Sequence, residues 1–413
     1  MDVKTAFLHA KIDDELYMSP PDGMQLPKGT VLKLKKSLYG LKQSPRLWNI
    51  MLHEFIISKG FTRSVIDQGV YQRGEGATKI IIAVYVDDIL NFGSESCTAG
   101  IMTFKSELNT AFQIEDLGQV RNILGMQVQR DREHQLINLS QNVYIDKVAQ
   151  KYRINPQPSA KKLVPITKSA YETIVDPTST TAKSIADHKA KFPYRNALGA
   201  LLYANICCRP DISFAISTLA SHCADPKLMH WNALLDLLKY TRDTQDLTLR
   251  YGKLASDETK NVISIYADAD FARDSSRRSR TGYVNFLNGG PIAWNSSLQD
   301  SIAQSTSEAE LYAMTEAVKT GLYIKHFMEE IGFAQGKLKC YEDNSGCIDW
   351  VVRQKSSSRM KHIETKYYLL RDLYDKHICE LVHVETLNQK ADFATKQMDY
   401  SIFYAQIRLL YNM

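Results

Sequence analysis

Apolar runs in the first part of the chain predict a buried sheet. Residues 79–86 (KIIIAVYV) are long enough and rich enough in β-branched residues for a buried central strand. Asp87 and Asp88 follow, and a second short apolar run leads to Gly93. This pattern predicts a hairpin with two acids at its tip, inside a region of about residues 1–150 that also contains helical patterns.

The residue pattern changes twice in the middle of the chain. Residues 155–192 contain four prolines among many Ser, Thr and Lys residues, which predicts a surface linker. Residues 193–250 then place leucine and isoleucine at helical spacing, as in Leu198, Leu201 and Leu202. Core packing explains that spacing fully, so this helical region is assigned no catalysis.

The last region alternates strands with helices. Residues 262–266 predict a strand that ends at Asp268, and residues 283–287 predict another before an Asn-Gly-Gly-Pro turn. A long helix begins near Thr306, and a strand, a helix, a strand and a last helix follow. This order predicts a mixed sheet with flanking helices, in the α/β or α+β class.

Composition narrows the class of protein. The 413 residues are 44% hydrophobic and 23% charged, which is ordinary for a globular protein and excludes a fibre or a disordered scaffold. No stretch resembles a membrane span or a secretory signal. The net charge of +5 permits a polyanionic partner without requiring one. Seven scattered cysteines without a C-x-x-C pair indicate free thiols in a reducing compartment.

Acids from two distant segments form a first candidate site. Asp2 ends a short strand-like entry, and Asp87 and Asp88 lie at the hairpin tip, so the three carboxylates converge if the strands are neighbours. Converged carboxylates repel one another unless a cation neutralises them, and hard oxygen ligands suit Mg²⁺. An isolated Asp-Asp pair is more often a polar turn, so the residues alone leave both readings open.

The surrounding motifs identify a family resemblance. Residues 85–88 (YVDD) resemble the catalytic box of reverse transcriptases, residues 1–8 (MDVKTAFL) resemble motif A, and residues 37–48 (SLYGLKQSPRLW) resemble motif B. Residues 117–118 and 124–126 stand where the family carries its motif D and primer-grip segments. The form of the motifs is that of Pol polyproteins from copia-type (Pseudoviridae) LTR retrotransposons.

This resemblance implies a reverse-transcriptase palm with defined roles for several residues. Asp2, Asp87 and Asp88 would be catalytic metal ligands, and Phe7 would be the steric gate that selects deoxynucleotides. The remaining implied contacts are Gly40 and Gln43 with the nucleotide, and Lys42 and Arg46 with phosphates. A solvated face is the alternative for the basic residues. In the family, fingers precede motif A, so the resemblance implies a chain truncated at its N-terminus, and we do not expect it to polymerise DNA alone.

Four acids of the last region form a second candidate site. Asp268 and Asp343 end strands, Glu310 lies on the long helix, and Asp392 opens a helix, so their carboxylates could meet over one sheet edge as a two-metal site. Asp392 could instead merely cap its helix. Glu308 follows Ser305 by three residues, which is a capping box, so we assign it to capping rather than to metal binding.

These acids resemble the D-E-D-D set of the RNase H domain in copia-type elements. Residues 277–283 (RRSRTGY), 361–364 (KHIE) and 395–396 (TK) match further family motifs, while Phe271 and Gln397 replace the usual Trp and Pro. The resemblance implies two-metal hydrolysis of RNA in RNA–DNA hybrids, with Mg²⁺ or alternatively Mn²⁺, two ions in each active site. The implied nucleic-acid contacts, for which a solvated loop is the alternative, are Arg277, Arg278, Arg280 and His362.

The sequence thus predicts four segments. They are a reverse-transcriptase palm and thumb region without fingers (1–155), a linker and helical connection (156–255), an RNase H-like domain (256–400) and a C-terminal tail (401–413). The implied partners are an RNA template, a DNA primer, RNA–DNA hybrid, dNTPs, and the integrase and protease of the same polyprotein, without a membrane. The implied location is a cytoplasmic virus-like particle, with nuclear passage as an option. Two alternatives remain: a hybrid nuclease with a scaffold polymerase half, and an inactive nucleic-acid-binding relic.

Overall fold

The computed structural model describes residues 1–155, 163–175, 192–252, 260–353 and 364–413, without the side chains of residues 364–366. The chain divides into two compact units, residues 1–120 with 326–333, and residues 121–325 with 334–413. No helix in the described ranges is long and apolar enough to cross a lipid bilayer. All seven cysteines are free, which confirms the prediction of unpaired thiols.

The first unit is built on a six-stranded sheet in the order β4-β5-β6-β7-β1-β8. Its elements are β1 (Asp2–Val3), β2 (Tyr17–Met18), β3 (Leu32–Lys33), α1 (Ser44–Ser58), β4 (Thr62–Arg63), β5 (Val70–Arg73), β6 (Ile80–Tyr85), β7 (Asp88–Phe92), α2 (Thr98–Phe112) and β8 (Ile114–Glu115). The predicted hairpin is confirmed, because β6 and β7 pair antiparallel with Tyr85 opposite Asp88. Val86, in the turn, has a positive φ of 56°.

Apolar spacing explains why α1 and α2 cover this sheet. Trp48, Leu52 and Ile56 of α1 recur every four residues and are buried. The buried residues of α2 follow the same spacing and end at Phe112. The rings of Trp48 and Phe112 meet edge to face with centroids 5.2 Å apart, so the two helices share one core.

The second unit contains two sheets and most of the helices. Its elements are β9 (Asn122–Ile123), β10 (Met126–Asp131), β11 (Leu136–Ser140), α3 (Asn142–Lys151), α4 (Lys168–Val175), α5 (Tyr194–Cys207), α6 (Ser213–Ala220), α7 (Leu228–Asp243), β12 (Leu249–Gly252), β13 (Ile263–Asp270), β14 (Arg280–Leu287), β15 (Gly290–Leu298), α8 (Thr306–Glu330, whose last residues belong to the first unit), β16 (Leu338–Glu342), α9 (Ser345–Arg353), α10 (Glu364–Asp375), β17 (Cys379–His383) and α11 (Tyr400–Tyr411). The predicted helical connection is therefore confirmed as α5, α6 and α7.

The five-stranded sheet has the order β15-β14-β13-β16-β17. The first three strands pair antiparallel, whereas β13, β16 and β17 run parallel, so the carboxyl ends of β13 and β16 lie at one edge. The predicted RNase H-like mixed sheet with flanking helices is confirmed. Gly321 of α8 permits a close approach, since a Cβ there would lie 2.5 Å from Ile265 Cδ1.

Two segments differ from the sequence-based predictions. Part of the predicted surface linker is helix α4, whose Tyr171 and Ile174 are buried in the core of the second unit. The predicted C-terminal tail lies mostly in α11, whose Phe403 and Ile407 are buried in the same core. Proline content concealed the first helix, because local composition does not report a tertiary contact that buries an apolar face.

A buried ion pair fixes α11 to the helical connection. Arg209 donates to both carboxylate oxygens of Asp211 at 2.9 and 2.7 Å, and both residues are 1% exposed. The hydroxyl groups of Tyr240 and Tyr411 donate to the same carboxylate. The last turn of α11 is therefore tied to the segment after α5 through a satisfied buried charge pair.

Candidate functional site

Three acids of the second candidate site converge. Asp268 lies on β13, Glu310 on α8 and Asp343 directly after β16, and one carboxylate oxygen of each lies within 4.8 Å of the other two. The parallel pairing of β13 with β16 brings the two aspartates to one edge. Among the residues that the structure describes, this is the one group of three potential metal ligands that is so close.

Burial makes this acidic group electrostatically unfavourable without a cation. Glu310 is 7% exposed, and its Oε2 atom has no hydrogen-bond partner. Burial, followed by the charges of Glu342, Asp268 and Asp343, raises the pKa of Glu310 well above its ordinary value. Oxygen ligands alone, one of them unsatisfied and buried, fit a hard divalent cation, so the residues present suit the metal that the family implies.

Asp392, the fourth predicted ligand, is joined to this group through a lysine. The Nζ atom of Lys396 lies 3.1 Å from Asp268 Oδ1 and 2.9 Å from Asp392 Oδ1. The Thr395 hydroxyl donates to the other oxygen of Asp268. Burial and then the charge of Asp268 raise the pKa of Asp392 to about 6. Burial alone would lower the pKa of Lys396, but the charges of Asp268 and Asp392 outweigh it and raise that pKa.

Gly282 lets the segment of residues 392–396 pack against the five-stranded sheet. A Cβ on Gly282 of β14 would lie 2.5 Å from Thr395 Cγ2 and 2.9 Å from Ala394 Cβ. The side-chain amide of Gln389 also donates to the Ala267 carbonyl oxygen at 2.9 Å. Residues 392–396 can therefore lie against β13 and β14 only because position 282 has no side chain.

Sequence reasoning missed Glu342, which is fully buried beside the three acids. Its Oε1 accepts from the Asn344 backbone N–H at 3.0 Å, and its Oε2 is without a partner. Burial raises the pKa of Glu342, with Asp343 and Asp268 adding to the effect. The available signal was strand alternation, which places Glu342 on the same face of β16 as the buried Leu338 and Cys340.

The contacts of Glu308 are those of a helix cap, as the sequence predicts. Its backbone N–H donates to Ser305 Oγ at 3.2 Å, and its carboxylate accepts from the Gln304 N–H at 2.8 Å. The Tyr312 hydroxyl donates to the other carboxylate oxygen. Glu308 is thus occupied away from the three converging acids.

The predicted basic loop separates into exposed and buried members. Arg277 and Arg278 are exposed, as a nucleic-acid contact requires. Arg280 is only 6% exposed, donates to the Ser217 hydroxyl and lies 5.3 Å from the Phe214 ring centroid. Its predicted surface contact with nucleic acid is therefore wrong, because β14 begins at Arg280 and turns this side chain toward α6. The predicted contact through His362 lies outside the described residues.

The acids of the first candidate site lie on neighbouring strands. Asp2 of β1 is directly opposite Asp88 of β7, and the Val3 N–H donates to the Asp87 carbonyl oxygen at 3.0 Å. Partial burial, then the charges of Asp87 and Asp2, raise the pKa of Asp88. Met1 exchanges hydrogen bonds with the Ile89 backbone at 3.0 and 2.9 Å, which holds Asp2 in the sheet.

Motif A and motif B also meet in the first unit. The Phe7 ring lies 4.7 Å from the Tyr39 ring, centroid to centroid, and the Ser37 hydroxyl donates to the Phe7 carbonyl oxygen. The structure therefore places the predicted steric-gate ring beside the loop that contains Gly40. At Gly40 the φ of +97° favours glycine, and the space around its Cα is open.

The other predicted contacts of motif B lie at the start of α1. Gln43 directly precedes the helix, and Lys42 is exposed. Arg46 is also exposed, but its guanidinium lies 2.6 Å from an Asp13 carboxylate oxygen. The exposed pair is weak, so Arg46 could exchange Asp13 for a phosphate.

Comparisons with known proteins agree with these motifs. The family described as reverse transcriptase (RNA-dependent DNA polymerase) matches residues 1–168. The Retrovirus-related Pol polyprotein from transposon TNT 1-94 of Nicotiana tabacum is 36% identical over 401 residues, which are 96% of this chain and 29% of that protein. The corresponding polyprotein from transposon RE1 of Arabidopsis thaliana is 31% identical, over 98% of this chain and 26% of that protein.

A shorter relative matches almost end to end. The putative transposon Ty5-1 protein of Saccharomyces cerevisiae is 31% identical over 322 residues, which are 77% of this chain and 99% of that protein. In contrast, the chain spans between about a quarter and a third of the length of the two plant polyproteins.

Solved structures give weaker matches. RNase H1 from Halobacterium salinarum is 14% identical with a TM-score of 0.23, covering 32% of this chain and 94% of that one. A foamy viral protease-reverse transcriptase in complex with double-stranded DNA is 14% identical with a TM-score of 0.23, over 96% of this chain and 60% of that one. Because these TM-scores are low, the fold assignment rests on the strand order of this chain itself.

Proposed function

The chain belongs to the copia-type retrotransposon Pol polyproteins, and from that premise we propose that it hydrolyses the RNA strand of RNA–DNA hybrids with a divalent cation. The observation that carries this proposal is the convergence of Asp268, Glu310 and Asp343. Three separate elements deliver these acids to one sheet edge. Their mutual repulsion has no evident structural benefit, so a cation-binding role explains the arrangement best.

In this proposal Asp268, Glu310 and Asp343 hold the cation, for which Mg²⁺ is the expected metal because all donors are oxygen. A bound Mg²⁺ would lower the pKa of a water molecule and neutralise charge on the scissile phosphate. Lys396 keeps Asp268 and Asp392 oriented toward the site. Arg277 and Arg278 are exposed on the loop before β14 and would contact phosphates of the hybrid.

The proposed substrate is an RNA–DNA hybrid because this chain resembles the RNase H domains of its family. Shape and 2′-hydroxyl contacts, rather than base reading, distinguish a hybrid from either pure duplex. We therefore assign hydrolysis to residues 256–400 and expect no base-sequence requirement.

Hydrolysis of a labelled RNA strand tests this function. The full chain should cleave the RNA in an RNA–DNA hybrid with Mg²⁺, and should leave single-stranded RNA and double-stranded RNA intact. Asp343→Asn should lose at least 100-fold in rate, because it removes one of three ligands. Asp300→Asn, which changes an exposed acid in the same unit, is the matched control. Cleavage by Asp343→Asn at the unsubstituted rate would refute the site.

We also propose a nucleotidyl-transfer site in the first unit, at Asp2, Asp87 and Asp88. The pairing of Asp2 with Asp88 supports it, since acids of motif A and of the YVDD box lie side by side. The proposed substrates are dNTPs, a DNA primer and an RNA template, with polymerisation assigned to residues 1–155. Phe7 beside Tyr39 would then exclude a ribose 2′-hydroxyl.

Primer extension on an RNA template tests this second activity. Where the unsubstituted chain extends a primer, Asp87→Asn should abolish extension, whereas Glu75→Gln, at an exposed acid of the same unit, should not. An unsubstituted chain that cleaves hybrids but extends no primer would leave hydrolysis as its one activity. A chain that binds hybrids without either reaction would favour an inactive nucleic-acid-binding relic. Integrase and protease of the same polyprotein are the proposed protein partners.

A further inference from the structure

Lys396 lies between Asp268 and Asp392, which form one half of the acidic site. Its Nζ atom lies at nearly equal distances from Asp268 Oδ1 and Asp392 Oδ1, 3.1 and 2.9 Å. The Lys396 side chain is 31% exposed, and the Asp268 side chain that it contacts is 2% exposed. One ammonium group therefore bridges two carboxylates in a mostly buried setting, where a cation is hard to replace by water.

The backbone holds this lysine in place independently of its side chain. Asp392 opens a short 3₁₀ turn, and the Lys396 N–H donates to the Asp392 carbonyl oxygen at 3.1 Å. The Thr395 N–H donates to the same oxygen at 3.1 Å. Gly282 lets this turn lie directly against β14. Lys396 is thus delivered to the carboxylates by the same turn that delivers Asp392.

The two halves of the site differ in how their negative charge is balanced. Glu310 has an unpartnered buried oxygen, and one oxygen each of Asp268, Glu310 and Asp343 lie within 4.8 Å of one another. Asp268 and Asp392 already share an ammonium group. A divalent ion between Asp268 and Asp392 would have to displace Lys396 or lie next to it, and like charges at contact distance repel strongly.

We propose that Lys396 is the resident cation of the Asp268–Asp392 half of the site, so that the free chain takes up one divalent ion rather than two. That ion is held by Asp268, Glu310 and Asp343, and Asp392 is a partner of Lys396 instead of a metal ligand. This inference rests on the proposed hydrolysis and specifies its charge balance. It replaces the sequence-based expectation of two ions at these four acids.

Counting bound Mn²⁺ by electron paramagnetic resonance tests the proposal. For this measurement, Asp2→Asn, Asp87→Asn and Asp88→Asn are introduced into the full chain, so that the first unit does not bind ions. With Lys396 intact, we expect one tightly bound Mn²⁺ per chain. Lys396→Gln should raise the count to two, because Asp268 and Asp392 are then uncompensated, and adding Asp392→Asn should return it to one.

Two further variants separate charge from structure. Lys396→Arg keeps a cation between the carboxylates and should keep the count at one. Lys319→Gln, at an exposed lysine of α8, is the matched control and should also give one. If Lys396→Gln does not fold, Asp392→Asn alone decides, since the count stays at one only when Asp392 is not a ligand.

Each outcome bears on a different claim. Two tightly bound ions with Lys396 intact, or a lower count in Asp392→Asn, would overturn the role of Lys396 and leave the proposed hydrolysis standing. A count of one in Lys396→Gln would also overturn it. No bound Mn²⁺ in the chain with Lys396 intact would refute the cation-dependent hydrolysis itself.

Discussion

Replacing Glu310 with Gln should stabilise the metal-free chain while abolishing hydrolysis. Glu310 is buried among Glu342, Asp268 and Asp343, and its Oε2 has no hydrogen-bond partner. A neutral amide of the same shape removes the repulsion, so the substitution relieves an unfavourable feature of the fold. It also removes a proposed metal ligand, so stability and activity should change in opposite directions.

The pH dependence of the effect follows from the direction of the pKa change. The pKa of Glu310 is raised well above its ordinary 4.5, so above pH 4.5 the unfolded chain releases a proton that the folded chain retains. Folding stability therefore falls as pH rises, by about 1.4 kcal/mol for each pH unit, until pH reaches the raised pKa. Gln has no such proton. The variant should gain nothing near pH 4.5 and should be the more stable chain at neutral pH, with a gain that grows as the pH rises.

The assay is a urea series followed by hydrogen exchange of the β13 and β16 peptides, with a chelator and then with Mg²⁺. Without metal at pH 7, Glu310→Gln should be more stable than the unsubstituted chain, and the difference should shrink at pH 5. Saturating Mg²⁺ should stabilise the unsubstituted chain more than the variant. Glu316→Gln, at a surface acid of the same helix, should change stability by less than about 0.5 kcal/mol.

A metal-free Glu310→Gln chain that is less stable at neutral pH would refute this reasoning. It would mean that the carboxylate is held by favourable contacts rather than strained by its neighbours. An equal response of both chains to Mg²⁺ would remove Glu310 from the cation site, whatever its effect on stability.

Five further substitutions test other parts of the second unit. Asp211→Asn should lower the free energy of unfolding, measured in urea, by about 3–5 kcal/mol, because Arg209 then stays buried without an anion. Tyr411→Phe, which removes only one hydrogen bond to Asp211, should lower it by about 1–2 kcal/mol. Equal losses in the two variants would contradict the ion-pair account. Burial, and after it the charges of His222 and Lys227, lower the pKa of His230 to about 4, although the charge of Asp225 opposes them. Between pH 6.5 and 4, His230 is therefore protonated in the unfolded chain but neutral in the folded chain. Stability should fall by up to about 3 kcal/mol over that range on acidification, and His230→Asn should flatten this part of the thermal-melting profile; unchanged profiles would exclude His230 as the cause. Gly282→Ala should lower the free energy of unfolding by about 1–3 kcal/mol and slow hybrid cleavage at least tenfold, because the added Cβ would displace Thr395. At Gly199 an added Cβ meets open space, so Gly199→Ala is the control and should change neither quantity.

Sequence patterns predicted the elements that local periodicity controls. The strand at residues 79–86 is β6, and the long helix predicted near Thr306 is α8. Ala309, Ala313, Ala317 and Gly321 of α8 recur every four residues, and a Cβ on Gly321 would lie 2.5 Å from Ile265 Cδ1 of β13, so this stripe of small residues faces the sheet. Asp268, Glu310 and Asp343 were also identified, because acids at strand ends and on the facing helix are visible in the sequence once the elements are placed.

Residues whose role depends on tertiary contact were not predicted in the same way. Arg280 belongs to a basic run, but strand alternation buries it against α6. Glu342 is adjacent to a predicted ligand, but its burial depends on which face of β16 is covered. Gly282 was visible only as part of a motif, because the turn that needs it follows more than 100 residues later. Local pattern cannot specify which distant segment approaches a given position.

The same limitation explains why a list of four acids described the site incompletely. Carboxylates that converge in a fold must be balanced by cations, and the sequence gives no distance by which to assign the lysines. In the sequence Lys396 is visible only as part of a two-residue motif, and only the distances to Asp268 and Asp392 show that its ammonium group lies between two of the four acids. In the proposed site, the number of metal ions is therefore set by Lys396 as much as by the acids. A chain with the same four acids and a neutral residue at position 396 should bind one more ion.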